Sequence, residues 1–152
     1  MPPNLLQIPH YKQSHRSSCL PAAARMILEF LGHSFSEAEL AQLLGTKSFG
    51  TPGPNLIRLE KVGFSVVYRL GTLSTIRGYI QKGMPCLVFV QTGDLPYWDE
   101  DTAHAVVVVG IDDENLYIND PAFDIAPQAV PLDYFLLAWS ELDHRYAVIL
   151  PG

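Results

Sequence analysis

The stretch HAVVVVGIDDENLYIND, residues 104–120, constrains the fold of this chain more than any other. HAVVVVGI is a continuous apolar run of strand length, rich in β-branched valine and far short of the ~20 residues a membrane-spanning helix needs. DDEN forms turns and LYIND reads as a returning strand, so the segment predicts an antiparallel hairpin. Further strands are read in FSVVYRL (64–70), PCLVFVQ (85–91) and RYAVIL (145–150). Helical signals dominate the first half. Residues 21–31 place Ala22, Met26, Ile27, Phe30 and Leu31 at helical spacing, and Gly32 ends the run. Ser36 and Glu39 form a capping-box pattern for a helix reaching Leu44, stopped by Gly45. Other helices are expected at 54–62, with proline in the first turn and Gly63 behind it, at 74–83 and at 132–139. Helices first and a mainly antiparallel sheet afterwards make an α+β fold.

Length and composition bound the rest. A chain of 152 residues is expected to form one domain, 1–152, burying about two-thirds of the surface its unfolded form exposes. Hydrophobic residues at 48% and charged residues at 17% describe a packed chain. A net charge of −6 without a basic stripe argues against nucleic acid as a partner. MPPNLLQIPHYKQ lacks the basic and long apolar regions of a signal peptide, so a cytoplasmic location is expected. Two cysteines, with no C-x-x-C or H-E-x-x-H, offer neither a disulfide framework nor a common zinc site, and no metal or cofactor is expected.

The chemistry lies elsewhere. His104 opens the first strand of the hairpin, Asp120 closes the second, and Asp112 stands midway between them in the turn. Residues equidistant from a hairpin turn face one another within about 5 Å, provided the register does not slip. A carboxylate so placed would accept from one imidazole N–H and leave the other nitrogen free as a base. Cys19 precedes Pro21, which suits the first turn of a helix, and so sits at a helix N-terminus, where free N–H groups and the helix dipole favour a thiolate. Brought near His104, it would be the nucleophile of a Cys–His–Asp triad. The side-chain amide of Gln13, with the Cys19 N–H, would donate to the oxyanion of a tetrahedral intermediate. Cys86 is read as core. His10, His33 and His144 are read as surface or loop residues. His15 is a rival base that nothing orients.

IPHYKQSHRSSCLPAAARMILEFLG followed by HAVVVVGIDDENLYINDP resembles the papain-fold peptidases that process the double-glycine leaders of bacteriocins. The likeness covers most of the chain. It implies a papain-like cysteine peptidase fold, with a helical N-terminal half whose nucleophile helix packs on the sheet. It also implies Cys19 as nucleophile, His104 as base, Asp120 as its orienter and Gln13 as oxyanion donor. One departure stands out: the family usually has glycine directly after the nucleophile, and this chain has Leu20. Members fused to transporters carry membrane and nucleotide-binding segments that this sequence lacks, so a stand-alone peptidase is the expectation.

TGDLPYWDEDTA (92–103) sets Tyr97, Trp98 and Asp99 just ahead of His104. It reads as a solvated loop, or as a cleft rim that contacts an extended or basic peptide. The expected partner is a peptide or protein substrate. Three activities fit these residues: peptide hydrolysis, peptide binding without turnover because Leu20 blocks it, and acyl transfer to an acceptor other than water.

Overall fold

The computed structural model describes residues 5–152. Among these the chain forms four α-helices and six strands. In chain order they are α1 (Cys19–Phe30), α2 (Glu37–Leu44), a 3₁₀ stretch (Gly53–Val62), β1 (Phe64–Leu70), α3 (Leu73–Gln81) and β2 (Cys86–Gln91). A short 3₁₀ turn (Thr92–Asp94) leads to β3 (Ala103–Ile111), β4 (Asn115–Asn119), β5 (Gln128–Pro131), α4 (Leu132–Ser140) and β6 (Arg145–Pro151). The strands form one antiparallel sheet in the order β1-β6-β2-β3-β4-β5, giving the α+β fold. None of the described helices is long and apolar enough to cross a membrane.

The alternation of strand side chains divides the interior in two. Leu87, Ala105, Val107 and Val109 pack with Leu20, Ala24 and Ile27 of α1 and Leu40 of α2. Cys86, Val88, Val106 and Val108 point the other way, against Ile76 of α3 and Phe135 and Trp139 of α4. The run in HAVVVVGI is unbroken because both faces of β3 are covered.

Three expectations need correction. The β3–β4 hairpin is not symmetric about Asp112. Val107 pairs with Asn119 and Val108 with Ile118, then a bulge shifts the pairing to Gly110–Tyr117 and Ile111–Leu116. Asp112 pairs across the turn with Asn115, its N–H donating to the Asn115 carbonyl at 2.9 Å, so the turn centres on Asp113 and Glu114. The Asp112 carboxylate stabilises that turn by accepting from the N–H groups of Glu114 (2.8 Å) and Asn115 (2.6 Å). Second, residues 53–62 wind as a 3₁₀ helix. Pro54 supplies no N–H, and the Asn55 N–H bonds the Pro52 carbonyl at 3.0 Å, one residue closer than in an α-helix. Third, β5 is an additional strand; its four residues end in proline at the sheet edge and carry almost no pattern.

The N-terminal segment is laced along the hairpin, from near its turn to its open end. Leu6 N–H bonds the Val109 carbonyl (2.9 Å), Asn119 Nδ2 donates to the Ile8 carbonyl (3.2 Å), and Gln13 N–H reaches the Pro121 carbonyl (2.7 Å). These bonds bring Gln13 alongside Asp120 and the start of α1.

Candidate active site

α1 begins at Cys19, two residues ahead of the expected start, with Pro21 in its first turn, where no helical partner for an N–H exists. Ser18 precedes the helix without capping it. Its hydroxyl donates instead to the His15 carbonyl at 2.9 Å, so the first-turn N–H groups remain available. The Leu20 and Ala105 backbone N–H groups and the His104 ring are the polar groups close enough to the Cys19 sulfur to act on it. Burial pushes the thiol pKa up, but His104 and the two N–H groups outweigh it and hold the pKa below the ordinary value.

His104 is 6% exposed and pairs with Val90 of β2. Its Nε2–H donates to Asp120 Oδ1 at 2.7 Å, leaving Nδ1 for the thiol. The contact is diagonal: continuing the β3–β4 register would set Ala122 opposite His104, and Asp120 reaches it from just beyond β4. Burial draws the His104 pKa down, but hydrogen bonds and charge from Asp120 and Cys19 prevail and raise it to about 9. Asp120 is fully buried. Burial raises its pKa, and the stronger combined pull of His104, the Ala122 N–H and Trp98 keeps it below the usual carboxylate range. A Cys–His pair with these shifts favours thiolate and imidazolium.

Cys19 and His104 line an open cleft of about 740 Å³ that also borders Gln13, Phe49 and Trp98, with Asp120 buried behind His104. Gln13 is present but turned. Its Nε2 donates to the carbonyls of His15 (2.9 Å) and Arg16 (3.3 Å), while its buried Oε1 has no partner. Leu20 is 1% exposed and packs into the core below α1. Tyr97 and Trp98 border the cleft with their rings, but their polar atoms turn inward. The Tyr97 hydroxyl (2.7 Å) and the Trp98 Nε1–H (2.8 Å) both donate to Asp120 Oδ2. Asp99 is exposed at the mouth. Arg16 and Glu100 join the two bordering loops through a 2.7 Å ion pair. Sequence reading missed the inward bonds; an aromatic pair shortly before a site histidine was the only trace of them. Cys86 is buried, its thiol pushed up to about 12 by burial. His15 is exposed, and His10 donates to the Phe123 carbonyl at 2.6 Å. Among the described residues no group of three or more His, Cys, Asp or Glu is arranged to hold a metal ion.

Residues 5–147 match the model of the Peptidase_C39 like family. The chain belongs to that family. A relative, an uncharacterized protein of Methanothermobacter marburgensis, is 34% identical over 120 residues, covering 73% of this chain and 70% of its own. Two solved structures share the fold. The peptidase domain of Streptococcus ComA, a bi-functional ABC transporter involved in a quorum-sensing pathway, superposes with a TM-score of 0.80 at 21% identity, over 96% of this chain and 100% of that one. A double-glycine-motif protease from an AMS/PCAT transporter, in complex with its leader peptide, superposes with a TM-score of 0.77 at 16% identity, over 97% and 94% of the two chains. The C39-like chain thus has the papain-like peptidase fold, with α1 packed on an antiparallel sheet.

Proposed function

We propose that this C39-like chain is a cysteine peptidase that hydrolyses a peptide bond through an acyl-enzyme. One observation carries the reading: a continuous line from the Cys19 thiol through His104 to the buried Asp120, at the wall of an open cleft. The Cys19 thiolate attacks the scissile carbonyl carbon, and the carbonyl oxygen becomes an oxyanion. The Cys19 N–H and the Gln13 amide stabilise that oxyanion once Gln13 rotates to turn Nε2 into the cleft. His104 Nδ1 gives its proton to the leaving amine, and the neutral imidazole then takes a proton from water. That water displaces the thiolate from the acyl group, and His104 is an imidazolium again. Asp120 keeps Nε2–H engaged throughout and never takes the proton. A peptide substrate accords with the leader peptide held by one solved relative. Asp99 and the rings of Tyr97 and Trp98 border the path such a peptide would follow.

The test is the alkylation rate of Cys19 against pH, with Cys86 as internal control. Cys19 reacts rapidly at pH 6, and His104→Ala abolishes this. A Cys19 that titrates like a free thiol, near pH ~8.5, with or without His104, overturns the reading. The thiolate–imidazolium pair exists above the lowered thiol pKa and is lost as pH rises through the His104 value of about 9, so peptide cleavage follows a bell between those limits. Binding without turnover is the second reading, favoured by the Gln13 amide being committed to the His15 and Arg16 carbonyls. Gln13→Ala separates the two. Loss of an oxyanion donor lowers kcat about 10²–10³-fold and leaves alkylation unchanged, whereas a silent domain shows no cleavage to lose.

A further inference from the structure

A buried carboxylate stays ionised only if its lone pairs are satisfied, and it directs a partner only if its plane is held. The torsion that rotates a carboxylate is soft, so a single bond to one oxygen leaves the plane free. In Asp120 the two oxygens are divided between two tasks. Oδ1 accepts from His104 Nε2–H at 2.7 Å and from the Ala122 N–H at 2.9 Å. Oδ2 accepts from the Tyr97 hydroxyl at 2.7 Å and from Trp98 Nε1–H at 2.8 Å. Both Oδ2 donors come from one loop, and both rings meet Phe123 edge-on at 5.2 Å. The loop is pinned at its base: the Thr92 hydroxyl donates to the Glu100 carbonyl (2.7 Å), and the Thr102 N–H donates to Thr92 Oγ1 (2.9 Å). The Trp98 ring also meets His104 edge-on, 4.9 Å between centroids. The donors are therefore themselves fixed.

We propose that Tyr97 and Trp98 are positioning residues, which by claiming Asp120 Oδ2 hold the carboxylate plane so that Oδ1 aims His104 at Cys19. The proposal rests on the reading of Cys19 and His104 as the reacting pair. It reassigns two residues whose rings border the cleft from contacting substrate to orienting the acid–base machinery. The titratable groups facing His104 and Asp120 are Cys19 from α1 and Tyr97 from the loop. His10 approaches through the Phe123 carbonyl, and His15, Arg16, Asp99 and Glu100 stand at the cleft mouth.

Tyr97→Phe and Trp98→Phe each keep a ring against Phe123 and remove one donor. Two measurements are made on each variant and on the double variant: the pH profile of Cys19 alkylation by iodoacetamide, and the downfield proton resonance of His104 Nε2–H. An under-satisfied buried acceptor lets the carboxylate turn away. Alkylation at pH 6 then falls about threefold in each single variant and about tenfold in the double, with the acid limb moving to higher pH and the resonance weakening. A wild-type acid limb and resonance in both single variants overturns the proposal. So does a lowered melting temperature with the profile unchanged, which would mark the two residues as structural only. If the double variant does not fold, the single variants decide. Should wild-type Cys19 itself behave as an ordinary thiol, the peptidase reading fails. Positioning is then judged on the resonance alone, which weakens in the variants if the proposal holds and stays unchanged if it does not.

Discussion

A side chain one residue past a helix-borne nucleophile points either at the substrate or into the core, and the winding of the helix decides which. Leu20 occupies the position that is usually glycine in the peptidases this chain resembles, and its side chain is buried against Ala23, Ala24 and Ile27. Its N–H, in contrast, helps hold the Cys19 pKa down. Leu20→Gly therefore chiefly removes core packing and adds backbone freedom at a residue that also borders the cleft. We expect a loss of about 3–5 kcal/mol in chemical denaturation and no gain in Cys19 reactivity. Higher reactivity in the glycine variant would mean that leucine does crowd the site. At this scale Cys19, His104, Asp120 and Gln13 could be picked out as candidates because their chemistry is written in their side chains. The roles of Tyr97 and Trp98 were not, because the direction of a hydroxyl or indole N–H depends on which buried acceptor the fold brings beneath it.

Helix boundaries follow the same division. The α2 cap was readable from Ser36 and Glu39 alone, since both bonds close within one turn: Glu39 N–H to Ser36 Oγ at 3.0 Å and Ser36 N–H to Glu39 Oε1 at 2.9 Å. The Ser36 N–H and hydroxyl lower the Glu39 pKa from 4.5. A depressed carboxylate pKa contributes stability that is present above the unfolded value and is lost as pH falls through the folded one. Glu39→Ala thus lowers the melting temperature by about 2–4 °C at pH 7, and the gap to wild type narrows as pH drops below 4.5. A gap independent of pH would show that the carboxylate charge plays no part in the cap. The hairpin register was not local in this way. The bulge between Val108 and Gly110 and the turn centred on Asp113 and Glu114 depend on which neighbours β3 and β4 must satisfy on both sides. His104 and Asp120 do meet, but diagonally and not by the symmetric pairing. β5 escaped notice for a related reason: four residues at a sheet edge are held by their partner strand and carry little pattern of their own.

Across the whole molecule, one sheet separates two apolar layers, and a residue in one should be energetically independent of a residue in the other. Ile27 of α1 and Ile118 of β4 are both fully buried on opposite sides. Shortening each to valine costs about 1 kcal/mol, and the double variant should show the sum to within about 0.5 kcal/mol in chemical denaturation. A clear departure from additivity would mean that the sheet transmits strain between its faces. The sequence by itself determined the helix–sheet succession and most strand positions, and it marked the candidate site residues, because periodicity, caps and side-chain chemistry act over a few residues. Only the tertiary structure decided that β3 is covered on both faces, that Asp120 reaches His104 from beyond its strand, and that Tyr97 and Trp98 donate to Asp120. Each of those depends on packing between segments far apart in the chain, where burial and the need to satisfy every buried polar atom leave one arrangement.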